Sequence, residues 1–196
     1  MKEVPSNQPE MLDIVDQYGE PTGEQYDKAT VHQEGMWHRD VHVWITDGVN
    51  LLEQQRRWDK TIMPGEWDIS VGGHVAANES YLEAAQRETR EELGLAFDED
   101  RYIGIGKLTI ELPMENGAWT HRIVGDNFVV VEQNLTVDDL TLQASEVLGA
   151  RLYPIDQLEA DLSAPETARL HASQPPELWA LGLTAIREII EGGAPM

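Results

Sequence analysis

The sequence predicts a mixed α/β fold in which a sheet is layered with helices, and three local patterns carry that expectation. Val41, Val43 and Ile45 alternate along one face of a strand, and Asp47-Gly48 turns the chain into a partner over Leu51 to Arg56. From Ser80 to Leu93 the period changes, and Leu82, Ala85, Thr89 and Leu93 share one helical face. Residues 177–191 place Leu178, Leu181, Ala185, Ile186, Ile189 and Ile190 at i, i+3 and i+4 spacing behind Pro175-Pro176, which predicts an amphipathic helix. Strands interleaved with helices argue for layers rather than a bundle or a sandwich. The 196 residues correspond by length to a single domain, expected over 11–196 behind a polar, proline-bearing tail at 1–10 that should be mobile.

The remaining elements follow in chain order. Met11 to Asp16 and a stretch ending near Tyr26 flank Gly19, Pro21 and Gly23, the signature of two short strands around a turn. Pro64 and Gly65 interrupt the chain after the hairpin, Trp67 to Val71 resumes it, and Gly72-Gly73 is expected to end it. Ser80 with Glu83 forms a capping-box pair, and Gly94 suits the left-handed position after the last helical turn. Tyr102 to Leu112 and Ile123 to Val131 read as strands around the turn-rich Pro113 to Gly117, and Val147 to Ile155 as a further strand. Asp156 with Glu159 predicts the cap of a short helix starting at Gln157.

Charge narrows the partners. Fourteen Lys and Arg oppose 36 Asp and Glu, a net charge of −22. Such a surface repels phosphate backbones and anionic headgroups, which disfavours sequence-independent nucleic-acid binding and a polybasic membrane anchor. A phosphorylated ligand stays open, because a divalent cation inverts the local field. The absence of cysteine removes disulfides, thiolate metal sites and thiol nucleophiles. Met1 to Glu10 lacks the apolar core of a signal peptide, and no apolar run reaches membrane-spanning length, so a soluble cytoplasmic protein is expected.

Glu88, Glu91 and Glu92 stand at i, i+3 and i+4 of the Ser80 helix and gather on one face. Like charges at that spacing cost ~0.2–0.5 kcal/mol per pair, and two of these lie in the final turn, where the helix dipole prefers cations. A hard divalent cation such as Mg²⁺ or Mn²⁺ would offset both terms; a solvated acidic face is the alternative, and spacing alone does not decide between them. The wider pattern does. Gly73, five residues, Glu79, seven residues and Arg87-Glu88-Thr89-Arg90-Glu91-Glu92-Leu93-Gly94-Leu95 resemble the Nudix box, GX5EX7REUXEEXGU with U aliphatic, over residues 73–95. All seven fixed residues are present and only Thr89 departs, at a U position. At ordinary residue frequencies such a match arises by chance on the order of 10⁻⁶.

The resemblance implies the Nudix fold, a three-layer α/β/α sandwich around a mixed sheet, and metal-assisted hydrolysis of a diphosphate joined to another moiety. It implies Glu91 and Glu92 as principal ligands of Mg²⁺ or Mn²⁺, with Glu88 as a further ligand or general base and Arg87 orienting the acids. Gly73 would let the backbone approach the metal, and Glu79 would supply a ligand or a contact behind the ligands. Trp37-His38-Arg39, residues 51–57 and residues 64–74 resemble the branch containing isopentenyl-diphosphate isomerases and related hydrolases. That isomerase uses a cysteine just before its Gly-His pair; here Gly72 stands there and cannot supply a proton, which rejects isomerisation by that route.

His74, with His32 and His38, matches metal-binding histidines of the isomerases; hydrogen-bonded or surface histidine is the alternative. Arg39, Arg56 and Arg57 are candidates to receive substrate phosphate, at most one of Arg56 and Arg57 facing the pocket because strand residues alternate. Trp37, Trp67 and Trp119 could stack on a base or simply pack. Glu146, His121, Asp126 and Asp68 are possible neighbours of the site. The leading expectation is a Mg²⁺-dependent pyrophosphohydrolase acting on a small-molecule diphosphate, either a nucleoside-diphosphate derivative or a related organic diphosphate. The alternatives are hydrolysis of an isoprenoid diphosphate and a non-catalytic ligand-sensing or interaction module. The C-terminal helix and the N-terminal strands could support a homodimer.

Overall fold

The structure is a computed structural model and describes residues 9–114 and 119–193. Its centre is β3 (Trp37–Thr46), which pairs in parallel with β8 (Trp119–Val131) from Trp37↔Arg122 to Thr46↔Val131. The other edge of β3 is shared by three antiparallel partners. These are β1 (Met11–Val15) at His38, β6 (Val71–His74) over Asp40 to Val43, and β4 (Asn50–Arg56) at Thr46. β2 (Pro21–Asp27), β5 (Trp67–Asp68), β7 (Ile103–Met114) and β9 (Val147–Pro154) extend these by pairing with β1, β4, β8 and β4 respectively.

Helices cover both faces, the expected α/β/α layering. The alternation along β3 sends Val41, Val43 and Ile45 toward α2 (Tyr81–Leu93), where they meet Ala84, Ala85, Leu93 and Phe128. Trp44 points the other way, into a core with Ile155 and Leu158 of α3 (Ile155–Ser163) and Leu178, Leu183 and Ile186 of α5 (Pro176–Glu191). A strand buried on both faces reads as a continuous apolar run, as Val41 to Ile45 nearly does. α5 docks closely because Gly182 lies against the Trp44 indole, where a Cβ would collide. No helix among the described residues is long and apolar enough to cross a membrane.

Several local expectations change. Gly72 and Gly73 do not end a strand but lie inside β6, paired with His42 and Val41, since the pairing partner is remote in sequence. α3 starts at Ile155 after an extended Pro154, two residues before the expected Gln157, and no side chain caps it. Asp156 is therefore in the first turn and pairs with Arg187 of α5. β7 runs through Pro113 to Met114, while 115–117 of the expected turn and 1–8 of the expected tail lie outside the described residues. Two helices were not foreseen, α1 (Lys28–Glu34) and the single-turn α4 (Pro165–Ala168). In α5 the buried stripe includes Trp179 and Gly182, and Ile190 is exposed.

Candidate active site

The acidic helix is fixed at both ends. The Glu83 N–H donates to Ser80 Oγ at 3.2 Å while Ser80 N–H donates to Glu83 Oε2 at 2.8 Å, the reciprocal capping box. Gly94 closes the other end at φ 74 and ψ 9. Thr89 takes the aliphatic position in the core because its hydroxyl donates to Ala85 O at 2.7 Å, leaving only its methyl to pack.

Arg87 organises the acids. Its guanidinium donates two bonds to Glu79, at 2.8 and 2.9 Å, and one each to His74 O at 3.0 Å, Glu88 at 2.7 Å and Glu91 at 3.3 Å. Glu79 is consumed by this: burial opposes its charge, but bonds from Arg87 and from Ala76 N–H outweigh it and hold its carboxyl below the usual range. Glu79 thus stands behind the site and does not line the cleft.

The cleft, about 530 Å³, is lined by Glu88, Glu91, Glu92, Gly73 and His74 together with Glu146. Burial pushes Glu88 up to about 7, against the pull of Arg87, and Glu92 up to about 8, with Glu88 adding repulsion. Among the described residues Glu92 has a single hydrogen-bond donor, Gln54 Nε2 at 2.9 Å. Glu88 lies so close over Gly73 that a Cβ there would collide with its carboxyl, and Glu91 is the half-exposed member. Glu92, buried with so little compensation, together with Glu88 and Glu91 offers a set of oxygen ligands that fits a hard divalent cation.

Cations face them. Lys28, Arg56, Lys60 and Arg87, four of the chain's 14, line the same cleft. Arg56 is braced by Ile62 O at 3.0 Å and by buried Asp68 at 3.5 Å, itself held by Gln174, and Lys60 pairs with Glu146. Arg57, just past the end of β4, turns away to Asp59 and Ala144 O. Arg39 also departs from expectation: it lies on the α2 face of β3, bonded to Asp13 at 2.7 Å, outside the cleft. Lys28 and Lys60 escaped the sequence reading, although lysines number only four in the chain. Lys28 needed the unforeseen α1, and Lys60 the fold of the connection after β4.

Behind Gly73 the fold collects histidines from four elements. One ring nitrogen from each of His32 (α1), His38 (β3) and His74 (β6) lies within 4.8 Å of the others, with His32 and His74 Nε2 atoms 3.0 Å apart. His38 Nδ1 is 2.9 Å from Met36 O, which assigns its proton there and leaves Nε2 bare and without a partner among the described residues. His121 (β8) joins with its ring centroid 5.3 Å from that of His38. Burial lowers His38 to about 4 and His121 to about 3, and lowers His32 and His74 too, so the rings are neutral. Trp119 stacks on His32 and Trp67 lies under Arg151, so these two pack within the protein. Trp37 is half-buried outside the cleft, and Asp126 likewise does not line it.

A helix-borne carboxylate trio against a glycine strand, facing a ring of cations, is the equipment of a metal-assisted hydrolase of phosphoanhydrides. The family description "NUDIX domain" matches residues 36–174, and the chain belongs to the Nudix hydrolase family. It is 34% identical over 162 residues to Nudix hydrolase 3 of Arabidopsis thaliana, covering 81% of this chain but only 21% of that protein. A Nudix hydrolase of Listeria monocytogenes is 30% identical over 158 residues, covering 80% of this chain and 87% of its own length. The isopentenyl-diphosphate Delta-isomerase of Serratia proteamaculans matches over 88 residues at 42% identity, 44% of this chain and 49% of that enzyme. In fold, the chain is similar to the crystal structure of a Deinococcus radiodurans protein, with a TM-score of 0.61 at 20% identity over 88% of this chain and 97% of that one.

Proposed function

We propose that this protein is a Mg²⁺- or Mn²⁺-dependent pyrophosphohydrolase that cleaves the diphosphate linkage of a nucleoside-diphosphate derivative or a related organic diphosphate. The observation that carries the reading is the gathering of Glu88, Glu91 and Glu92 in one cleft with four cations, Glu92 being buried with only the neutral Gln54 amide donating to it among the described residues. Glu88, Glu91 and Glu92, with the Gly73 backbone, would hold the cation. When bound it supplies charge neutralisation and a lowered pKa for water. Arg56, Lys60 and Lys28 bind the anionic diphosphate, Arg56 pre-set by Asp68. Arg87 locks Glu88 and Glu91 in place. Glu88 would serve either as a further ligand or, with Glu91 and Glu92 holding the cation, as the base that takes a proton from water.

Isomerisation is disfavoured by Gly72, which brings no acid to the position where the isomerases carry one. The histidine cluster supports a second, imidazole-bound cation at His32, His38 and His74, since neutral rings converging on one point are what such an ion requires.

A screen that separates the cleavage products by anion-exchange chromatography, over ADP-ribose, dinucleoside polyphosphates, nucleoside triphosphates, coenzyme A and prenyl diphosphates, with Mg²⁺ and with Mn²⁺, tests the reading. Glu92→Gln takes a negative ligand from the cation and should lower turnover by about two orders of magnitude, the upper end of what losing even an outer partner of a metal site costs. Turnover within a few-fold of wild type would sink the assignment, and tight nucleotide binding without turnover would favour a sensing module.

A further inference from the structure

The connection from β4 to β5 carries the one exposed tryptophan among the described residues. Trp58 is 72% exposed, whereas Trp44 and Trp179 are buried and Trp37, Trp67 and Trp119 are half-buried. A single exposed apolar side chain is ordinarily without meaning. Trp58 differs in being held. Its six-membered ring covers Gly65, a residue at φ 75, so closely that a Cβ there would collide with it. Gly65 is in turn tied to β4, its carbonyl accepting from Gln55 Nε2 at 3.0 Å, while Arg56 N–H donates to Glu66 O and Arg56 Nε–H to Ile62 O, both at 3.0 Å. One face of the indole is therefore seated on the connection and the rest is left to solvent.

Its position in the chain gives that surface a use. Arg56 and Lys60, on either side of Trp58, both line the cleft that holds the carboxylates. Trp58 does not itself line that cleft, but it stands in the chain between two residues that do, so in a chain of net charge −22 an open aromatic ring is carried on the same short segment as two of the site's cations. Cations receive phosphate oxygens and a ring receives another ring, so the segment has the two halves of a nucleotide-recognition surface. We propose that Trp58 is a specificity-determining residue that stacks on the base of a nucleoside-diphosphate substrate whose diphosphate is bound by Arg56 and Lys60. This rests on the reading of the cleft as a diphosphate site and narrows its substrate to compounds with an aromatic base. Stacking tolerates purine and pyrimidine alike, so the preference is for a class and not for one base.

Calorimetric titrations of ADP and of inorganic pyrophosphate, each with Mg²⁺, separate the two parts. Trp58→Ala should weaken ADP binding at least five-fold, the equivalent of the ~1 kcal/mol at the lower end of base–aromatic stacking, and leave pyrophosphate binding within two-fold. Trp58→Phe should recover most of the ADP affinity, and the difference between ADP and pyrophosphate binding separates stacking from any loss of packing on Gly65. Equal losses for both ligands, or unchanged ADP affinity in Trp58→Ala, overturn the stacking role, as does a wild type that binds pyrophosphate but not ADP. A wild type that binds neither overturns the reading of the cleft itself.

Discussion

Gly73 and Glu88 approach each other so closely that the side chain of one defines the permitted size of the other. Gly73 is not among the residues at positive φ, so its backbone would accept alanine and the whole effect of a methyl falls on the Glu88 carboxyl. Glu88 is also gripped by Arg87 at 2.7 Å, which leaves little room to yield. Gly73→Ala should lower kcat/KM by at least ten-fold and cost ~1–3 kcal/mol of stability, the usual range for overpacking. Steady-state kinetics beside thermal melts check this. A variant as active as wild type would mean that the Glu88 position is not needed. The same residue scale explains Thr89, whose hydroxyl is satisfied inside its own helix and so fills an aliphatic position without cost to the core.

Elements differ in how openly they declare themselves. In α2, caps and stripe are local in sequence, and each was legible. Ser80→Ala should cost ~1 kcal/mol, as loss of an N-cap does, or about 2–4 °C in Tm for a protein of this size. Activity at saturating metal should hold, because Ser80 lies eight residues before Glu88, or ~12 Å along the helix axis. A melt unchanged in Ser80→Ala would show the capping box to be idle. By contrast α1 buries only Val31, so it has no periodic stripe, although Asp27 and Gly35 cap it in plain view. Missing α1 hid the placement of Lys28 and His32. Gly72-Gly73 looked like a stop because pairing with β3 is invisible locally. Arg39 was misplaced for a related reason: only the sheet decides that it faces Asp13 while Arg56 faces the cleft. The carboxylates were readable because they share one helix, and the histidine cluster could be argued only by resemblance because it draws on four elements.

At the scale of the whole molecule, a sheet covered on both faces must keep polar groups dry, and His42 shows the consequence. It lies at the middle of β3, only 4% exposed, with Gly72 and Gly125 against its ring. Burial lowers its pKa from 6.5 to about 4. A histidine depressed in the folded state favours folding while neutral. Its contribution is therefore intact above the unfolded value near 6.5 and is lost as pH falls toward 4. At pH 5 the loss is ~2 kcal/mol relative to pH 7.5. Acidification also relieves the repulsion of a −22 surface as the chain approaches its pI, an effect of opposite sign. The two are separable, because a variant at His42 shares the surface and lacks only the buried base. Urea unfolding of wild type and His42→Met at pH 7.5 and pH 5.0 should show the wild type losing ~2 kcal/mol more than the variant on acidification. Parallel losses would mean that His42 is not what makes the interior of the sheet sensitive to acid.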